Sequence, residues 1–430
     1  MRNFRTDWVD GEIGRFEFIT PHIVHEGAVR ENTALDVFPR RTCWEGDKTH
    51  GFKEVAFIDG ATEESYRKTS RLINRMRYQQ EDGTPARTIR EQAEGEGAKL
   101  LDAIERKAAQ ILTTHEFSPT GTFEGHPETS HGQQAVTVPE ARVADAIAVC
   151  QAHRKVACDL RENPILDEAP EATVNISIDE VGVKRQKVQR TGHEEADPEG
   201  RSVSSSQKRK YVHNTVIHIE KNEKRDLSTG HGLHHGLSLL IAFLLQRDLV
   251  QYRFQFFTEG STVLPEAIRR CFSWYKNLGI LLEWYHLEEN CQWQLSLAMK
   301  GRMRRNEARN ELLPLLWDGL VDHAIAFVKR IDASQLKNPD ALTQLIGYVE
   351  RNRAHIPCYA VSKELGLRNS SQIGEKMNDR VVAARPKHHG MSGSVSGSIA
   401  LASLTALTRN HEYAMWFEEG NIEFKLAAYV

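Results

Sequence analysis

The chain has 430 residues, 40% of them hydrophobic and 27% charged, with a net charge of −3. That is the balance of a globular protein too long for one compact unit, so two or three units are expected. The total charge does not advertise a nucleic-acid partner, and any basic surface has to be local.

Six cysteines (Cys43, Cys150, Cys158, Cys271, Cys291, Cys358) lie far apart with no CxxC spacing. Neither a zinc site nor a disulfide framework is indicated, and a reducing compartment is the simpler expectation. The opening "MRNFRTDWVDGEIG" has no apolar segment of the secretory kind. The longest apolar run, Leu237 to Leu245, is too short to span a bilayer. A cytoplasmic protein with no membrane partner is expected.

In chain order, residues 1–60 carry two short strand patterns, "FEFIT" and "EVAFID", to which no role attaches. From Glu63 the spacing is helical, with Tyr66, Leu72, Ile73, Met76 and Tyr78 near one face. Gly83 and Pro85 break it, and "TPARTIREQAEGEG" restarts it with Thr84 as N-cap and Pro85 at the first helical position. A third helix follows through "AKLLDAIERKAAQILTTH". Helix, turn, helix is the skeleton of a DNA reader, and spacing alone suits an ordinary helical hairpin better. Residues 115–135 read as a linker. A helix over "PEARVADAIAVCQAHRKVA" leads to a boundary near 170.

Beyond it the pattern changes. "ATVNISIDEVGV" alternates Val174, Ile176 and Ile178 on one face, as a strand does. "RKYVHNTVIHIEK" is a second strand, "HHGLSLLIAFLLQRDL" a helix, and "QYRFQFFTEG" a third strand. "VLPEAIRRCFSWYKNLG" is a helix closed by Gly279, and "ILLEWYHLEE" another strand. A helical block covers 295–353, and a last helix carries Glu375. Strands alternating with helices argue for an α/β sheet with some parallel pairing.

Asp179 ends the first of these strands, Glu259 ends "QFFTEG", and Glu375 lies on the late helix. Ligands collect beyond the carboxyl ends of strands in open α/β sheets. Carboxylates there suit Mg²⁺, a hard ion that takes oxygen ligands. In a chain with 59 acids, spacing alone favours solvated strand-end carboxylates. The "HGLHH" cluster (His231, His234, His235) has metal-like spacing but no HExxH glutamate and no fourth ligand, so a helix start or surface cluster is expected. Trp284 and Tyr285 are expected in the core.

Residues 173–408 resemble the catalytic region of bacterial insertion-sequence transposases of the DDE type. "SIDEVGVKRQK" is similar to the family's first-Asp strand, "FTEGS" to its second-acid strand, and "LLEWYHLEE" to its "LDWYH" segment. "LGLRNSSQIGEKMNDRVVAARPKHHGMSGSVSGSIALASLTALTRN" resembles the C-terminal signature with the last Glu. The helical pair near "YRKTSRLINRMRY…GTPARTIREQAEGEG" looks like the family's N-terminal reader, which favours a helix-turn-helix there.

The resemblance implies an RNase H-like mixed sheet with flanking helices over 171–294 and 354–430. It also implies a helical insertion over 295–353 and a mainly helical DNA-binding region and linker over 61–170. It implies Asp179, Glu259 and Glu375 as catalytic Mg²⁺ ligands, with Mn²⁺ able to substitute. Double-stranded DNA, as element ends and target, is the implied partner, and a nucleoid-associated homo-oligomer the implied working form. Lys184, Arg185, Lys187, Arg87, Arg90, Arg302, Arg304, Arg305, Arg385, Lys387 and His388 are the expected DNA contacts.

Two departures stand out. The family's second Asp is Glu259 here, about one bond length longer, and the family Trp is Gly393. A catalytically silent, domesticated DNA-binding protein derived from a transposase is the alternative expectation. Glu283, where the family has Asp, is expected to support rather than ligate.

Overall fold

A computed structural model of the chain describes residues 4–11, 14–21, 44–45, 48–49, 52–54, 56–58, 65–76, 83–125, 136–152, 160, 165–184, 211–371 and 395–428. Strands β1 (Phe4–Gly11) and β2 (Gly14–Pro21) pair antiparallel, and β3 (Trp44–Glu45) and β4 (Lys48–Thr49) complete a small sheet beside β1. "FEFIT" is therefore a strand as expected. "EVAFID" is not, because residues 56–58 are helical and Ala56 and Phe57 are buried.

Helix α1 (Tyr66–Met76) leads to α2 (Ala86–Thr114). The sequence suggests two helices over the second span, and the structure has one of 29 residues. Gly95 and Gly97 weaken a helix by about 1 kcal/mol each relative to Ala, which tertiary packing overrides. A Cβ on Gly97 would stand 2.4 Å from the carbonyl oxygen of Ala400. The missing side chain thus lets α2 lie backbone-close to α11 (Val395–Arg409). Between α1 and α2, Asn74 accepts from the Thr84 N–H at 2.8 Å and Ser70 donates to the Thr84 carbonyl at 2.5 Å. These two residues hold the turn that Gly83 and Pro85 announce.

Helix α3 (Glu140–Ala152) precedes the main sheet. That sheet is mixed, with flanking helices. Its strands are β5 (Thr173–Lys184), β6 (Tyr211–Lys221), β7 (Lys224–Gly230), β8 (Arg253–Thr258), β9 (Leu278–Leu282) and β10 (Ala427–Ala428), in the order β10-β7-β6-β5-β8-β9. β5 is antiparallel to β6 and parallel to β8, and β8 is parallel to β9.

β7 has no apolar alternation in "KRDLSTG". The tight turn makes it a strand: Asn222 and Glu223 both have positive φ, 48° and 64°, the conformation a two-residue hairpin requires. α4 (Leu233–Gln246) connects β7 to β8, and α5 (Val263–Cys271) connects β8 to β9. Gly279 lies inside β9 rather than closing α5, because the chain leaves the helix at Phe272.

Val174, Ile176 and Ile178 of β5 bury against α4 and α2 in one core. On the other side of the sheet, α11 packs Ala402 and Ala406 over Val181, Val216 and Leu227. "WYHLEE" is not strand: it opens α6 (Trp284–Ala298), followed by α7 (Arg302–Trp317), α8 (Val321–Lys329) and α9 (Pro339–Arg351). These helices share their own core with Phe257, Leu281 and Tyr359. Trp284 is packed as expected, edge-on to Trp317 and Tyr359, but Tyr285, the next residue round the helix, is exposed and not in the core. α10 (Tyr359–Glu364) and α12 (Tyr413–Glu419) complete the described helices named here. No helix of the described residues is long and apolar enough to cross a membrane.

Candidate active site

The register of the parallel strands brings three acids to one level. Ser177 is opposite Phe257, and Thr258 is opposite Leu282. Two residues past the first pair and one past the second stand Asp179, Glu259 and Glu283. The Glu283 N–H donates to the Thr258 carbonyl at 3.0 Å, so the pairing continues to that edge. Side chains alternate along a strand, which puts Asp179 on the same face as Asn175 and Ser177. That face is opposite the one buried by Ile176 and Ile178.

Each acid has its own environment. Asp179 is half-buried and Glu259 exposed. Gly260 follows Glu259 with φ +90°, and a Cβ there would meet the Tyr348 hydroxyl at 2.5 Å. Tyr348 of α9 donates that hydroxyl to the Glu259 carbonyl at 3.1 Å. The turn that presents Glu259 is thus shaped by a glycine and held by α9.

Glu283 is buried, 4% exposed. It accepts from the Ser371 hydroxyl at 2.5 Å and from the Ser371 N–H at 3.3 Å. The Trp284 N–H donates to the Asn369 carbonyl at 3.0 Å, and Arg368 pairs with Glu220 of β6. A strap over 368–371 therefore crosses the end of β9 and reaches β6.

A small cleft lies under this strap, lined by Asn175, Ser177, His218, Glu220, Phe257, Arg368 and Ser371. Burial, then the Arg225 and Arg368 guanidiniums, push the His218 imidazole down to about 4. It is neutral at physiological pH, and its Nε2 has no hydrogen-bond partner.

β5 runs on to Lys184, so Asp179 lies within the strand and not at its end as the sequence suggests, while Glu259 stands one residue past the end of β8. Glu375, Arg185, Lys187, Arg385, Lys387 and His388 lie outside the described residues. Among the described residues no three His, Cys, Asp or Glu side chains form a metal-holding group. The donor chemistry of Asp179 and Glu259 fits a hard divalent ion, which takes carboxylate oxygens and keeps water on its other positions. Lys184 ends β5. Arg87 and Arg90 are exposed on α2, with Arg87 Nε 2.7 Å from Glu91. Arg302 and Arg304 are exposed at the start of α7, and Arg305 donates to the Ser296 hydroxyl at 3.2 Å.

The histidine cluster is a helix start. The His231 N–H donates to His235 Nδ1 at 2.9 Å, His235 Nε2 lies 3.3 Å from Glu105, and His234 meets Arg270 at 2.7 Å.

Sequence reasoning passed over Ser371, His218, Glu220 and Arg368. Ser371 had a signal, since it lies four residues before Glu375 in the stretch that resembles the C-terminal signature, whereas His218 and Glu220 follow only from the antiparallel register Ser177↔His218 and Asn175↔Glu220. Compared with protein-family models and with curated proteins, the sequence matches none.

Proposed function

We propose that the chain is a DDE-type transposase. It binds the ends of a mobile DNA element, cleaves phosphodiester bonds there and joins the 3′ ends to target DNA. The observation that carries this reading is that Asp179 of β5 and Glu259, one residue past the parallel neighbour β8, each stand two residues beyond the register pair Ser177–Phe257.

The sheet supports it further. A central β5 with an antiparallel hairpin on one side and parallel strands on the other, crossed by α4 and α5, is the arrangement expected of an RNase H-like core. Helices α6 to α9 then stand as the insertion.

In this reading Asp179 and Glu259 hold Mg²⁺ or Mn²⁺ with Glu375. The ion, when bound, supplies positive charge to the phosphoryl group and to the attacking and leaving oxygens. Tyr348 and Gly260 hold the Glu259 turn. Lys184, Arg185 and Lys187 follow the first acid, and with Arg87, Arg90, Arg302, Arg304, Arg305, Arg385, Lys387 and His388 they contact DNA phosphates. Pairing of two element ends requires more than one copy of the chain.

The test is cleavage and strand transfer on element ends with Mg²⁺ or Mn²⁺. Wild type is compared with Asp179→Asn, Glu259→Gln, Glu259→Asp and Glu375→Gln. Activity lost in the three charge-removing variants supports the reading and shows that glutamate serves at 259. Wild type that binds ends without cutting, with Glu259→Asp restoring cleavage, makes the chain a silenced, DNA-binding derivative. Neither binding nor cutting overturns both.

A further inference from the structure

Two of the most exposed apolar side chains lie on consecutive helices of the insertion. Trp293 of α6 is 63% exposed and Met303 of α7 is 72% exposed. α6 buries Leu287, Cys291, Leu295 and Ala298. Trp293 and Leu297, four residues apart, share another stripe, and Leu297 is also exposed. Ser296, one helical turn from Trp293, accepts the Arg305 hydrogen bond. That contact places the start of α7 beside this stripe.

Exposed arginines edge this stripe. Arg302 and Arg304 are exposed and make no hydrogen bond or ion pair among the described residues. Other arginines of the insertion are paired: Arg353 lies 2.7 Å from Asp322, and Arg309 lies 3.4 Å from Glu288. Lys300 donates to the Ser334 carbonyl at 3.1 Å. The carboxylates nearby are Glu289, exposed one helical turn before Trp293 and beside His286, Glu307, which is exposed, and Asp332. Asp332 is held below its ordinary range by the Ser334 N–H and hydroxyl first and by Arg304 last.

We infer that this patch is a docking surface for single-stranded nucleic acid, with the Trp293 indole stacking on a base and Arg302 and Arg304 on phosphates. Single strands present both chemistries at once, a π face on every base and a charge on every phosphate. An apolar protein partner would leave the unpaired guanidiniums without a role. α6 starts directly after Glu283, so Trp293 stands about 15 Å along the helix from Glu283. The patch would hold the strand beside the cut. In that placement the inference rests on the transposase reading.

The experiment is binding of fluorescein-labelled oligothymidylate to the full chain by anisotropy over a salt series, with sedimentation of the same samples. Trp293→Ala is expected to weaken binding roughly tenfold, the loss of one stacked base, while Trp293→Phe keeps most of it. Arg302→Gln with Arg304→Gln is expected to reduce the salt slope by about 1.4. Wild-type affinity in Trp293→Ala overturns the inference, as does an unchanged salt slope in the arginine pair. A change of oligomeric state in Trp293→Ala with oligonucleotide binding intact also overturns it and assigns the patch to a second copy of the chain. Weakened binding in Trp293→Ala, in a protein that cuts no element end, leaves the patch standing and removes the transposase reading.

Discussion

Ser371 and Glu283 are joined twice, hydroxyl to carboxylate at 2.5 Å and N–H to carboxylate at 3.3 Å. One side chain thereby ties the end of β9 to the strap that leads toward Glu375. A hydrogen bond to a charged group contributes about 1.5–3 kcal/mol. Ser371→Ala removes the shorter of the two and leaves the N–H contact. We expect a loss in that range, read from the urea midpoint with an unchanged slope. A midpoint equal to wild type would show that the pair contributes nothing to the fold.

Gly260→Ala tests the turn that presents Glu259. Its φ of +90° disfavours any side chain, and the new Cβ would stand 2.5 Å from the Tyr348 hydroxyl. The expected cost exceeds about 1 kcal/mol. Adding Tyr348→Phe removes the clashing oxygen and recovers part of it. Thermal midpoints of the single and double variants check this, and an undisturbed single variant would contradict the geometry.

Asp226 of β7 is 3% exposed. Burial first, then the Glu412 carboxylate, raise its affinity for a proton well above that of an ordinary aspartate. A folded-state value above the unfolded one means that stability is greatest in acid and is lost as pH rises through the folded value. Asp226→Asn is therefore expected to be more stable than wild type at neutral pH. The gap should close as pH falls toward about 4, the ordinary aspartate range. Melting temperatures across that range decide it, and a gap independent of pH would refute the assignment.

His218 runs in the opposite direction. Its imidazole is pushed down to about 4 in the fold, against about 6.5 in an unfolded chain. The unfolded state takes its proton first, so stability present above pH 6.5 is lost as pH falls toward 4. The loss should be on the order of 3 kcal/mol. His218→Gln, with no such proton to bind, should flatten that part of the profile. Denaturant midpoints between pH 4 and 7 measure it, and parallel profiles for the two proteins would count against a buried neutral histidine.

Local pattern was enough for elements whose burial is written into their period. β5 alternates Val174, Ile176 and Ile178 inward, and α4 is a continuous apolar run between polar ends, so both were legible. Glu259 was legible as an acid just past its strand, whereas Asp179 sits inside β5, which pairing with β6 carries on to Lys184.

Other features depend on contacts between distant residues, which local period does not encode. β7 is polar and pairs only because the Asn222–Glu223 turn returns it to β6. α2 runs through Gly95 and Gly97 because α11, some 300 residues later, packs against Gly97. The chain leaves β9 at Leu282 and begins α6 at Trp284, where the Trp284 N–H bonds to Asn369 and the ring packs on Trp317 and Tyr359. The sequence by itself determined which residues can be strand, helix and acid. Only the tertiary structure decided that Asp179, Glu259 and Glu283 share one level, because a level is a property of the register between strands and not of any strand alone.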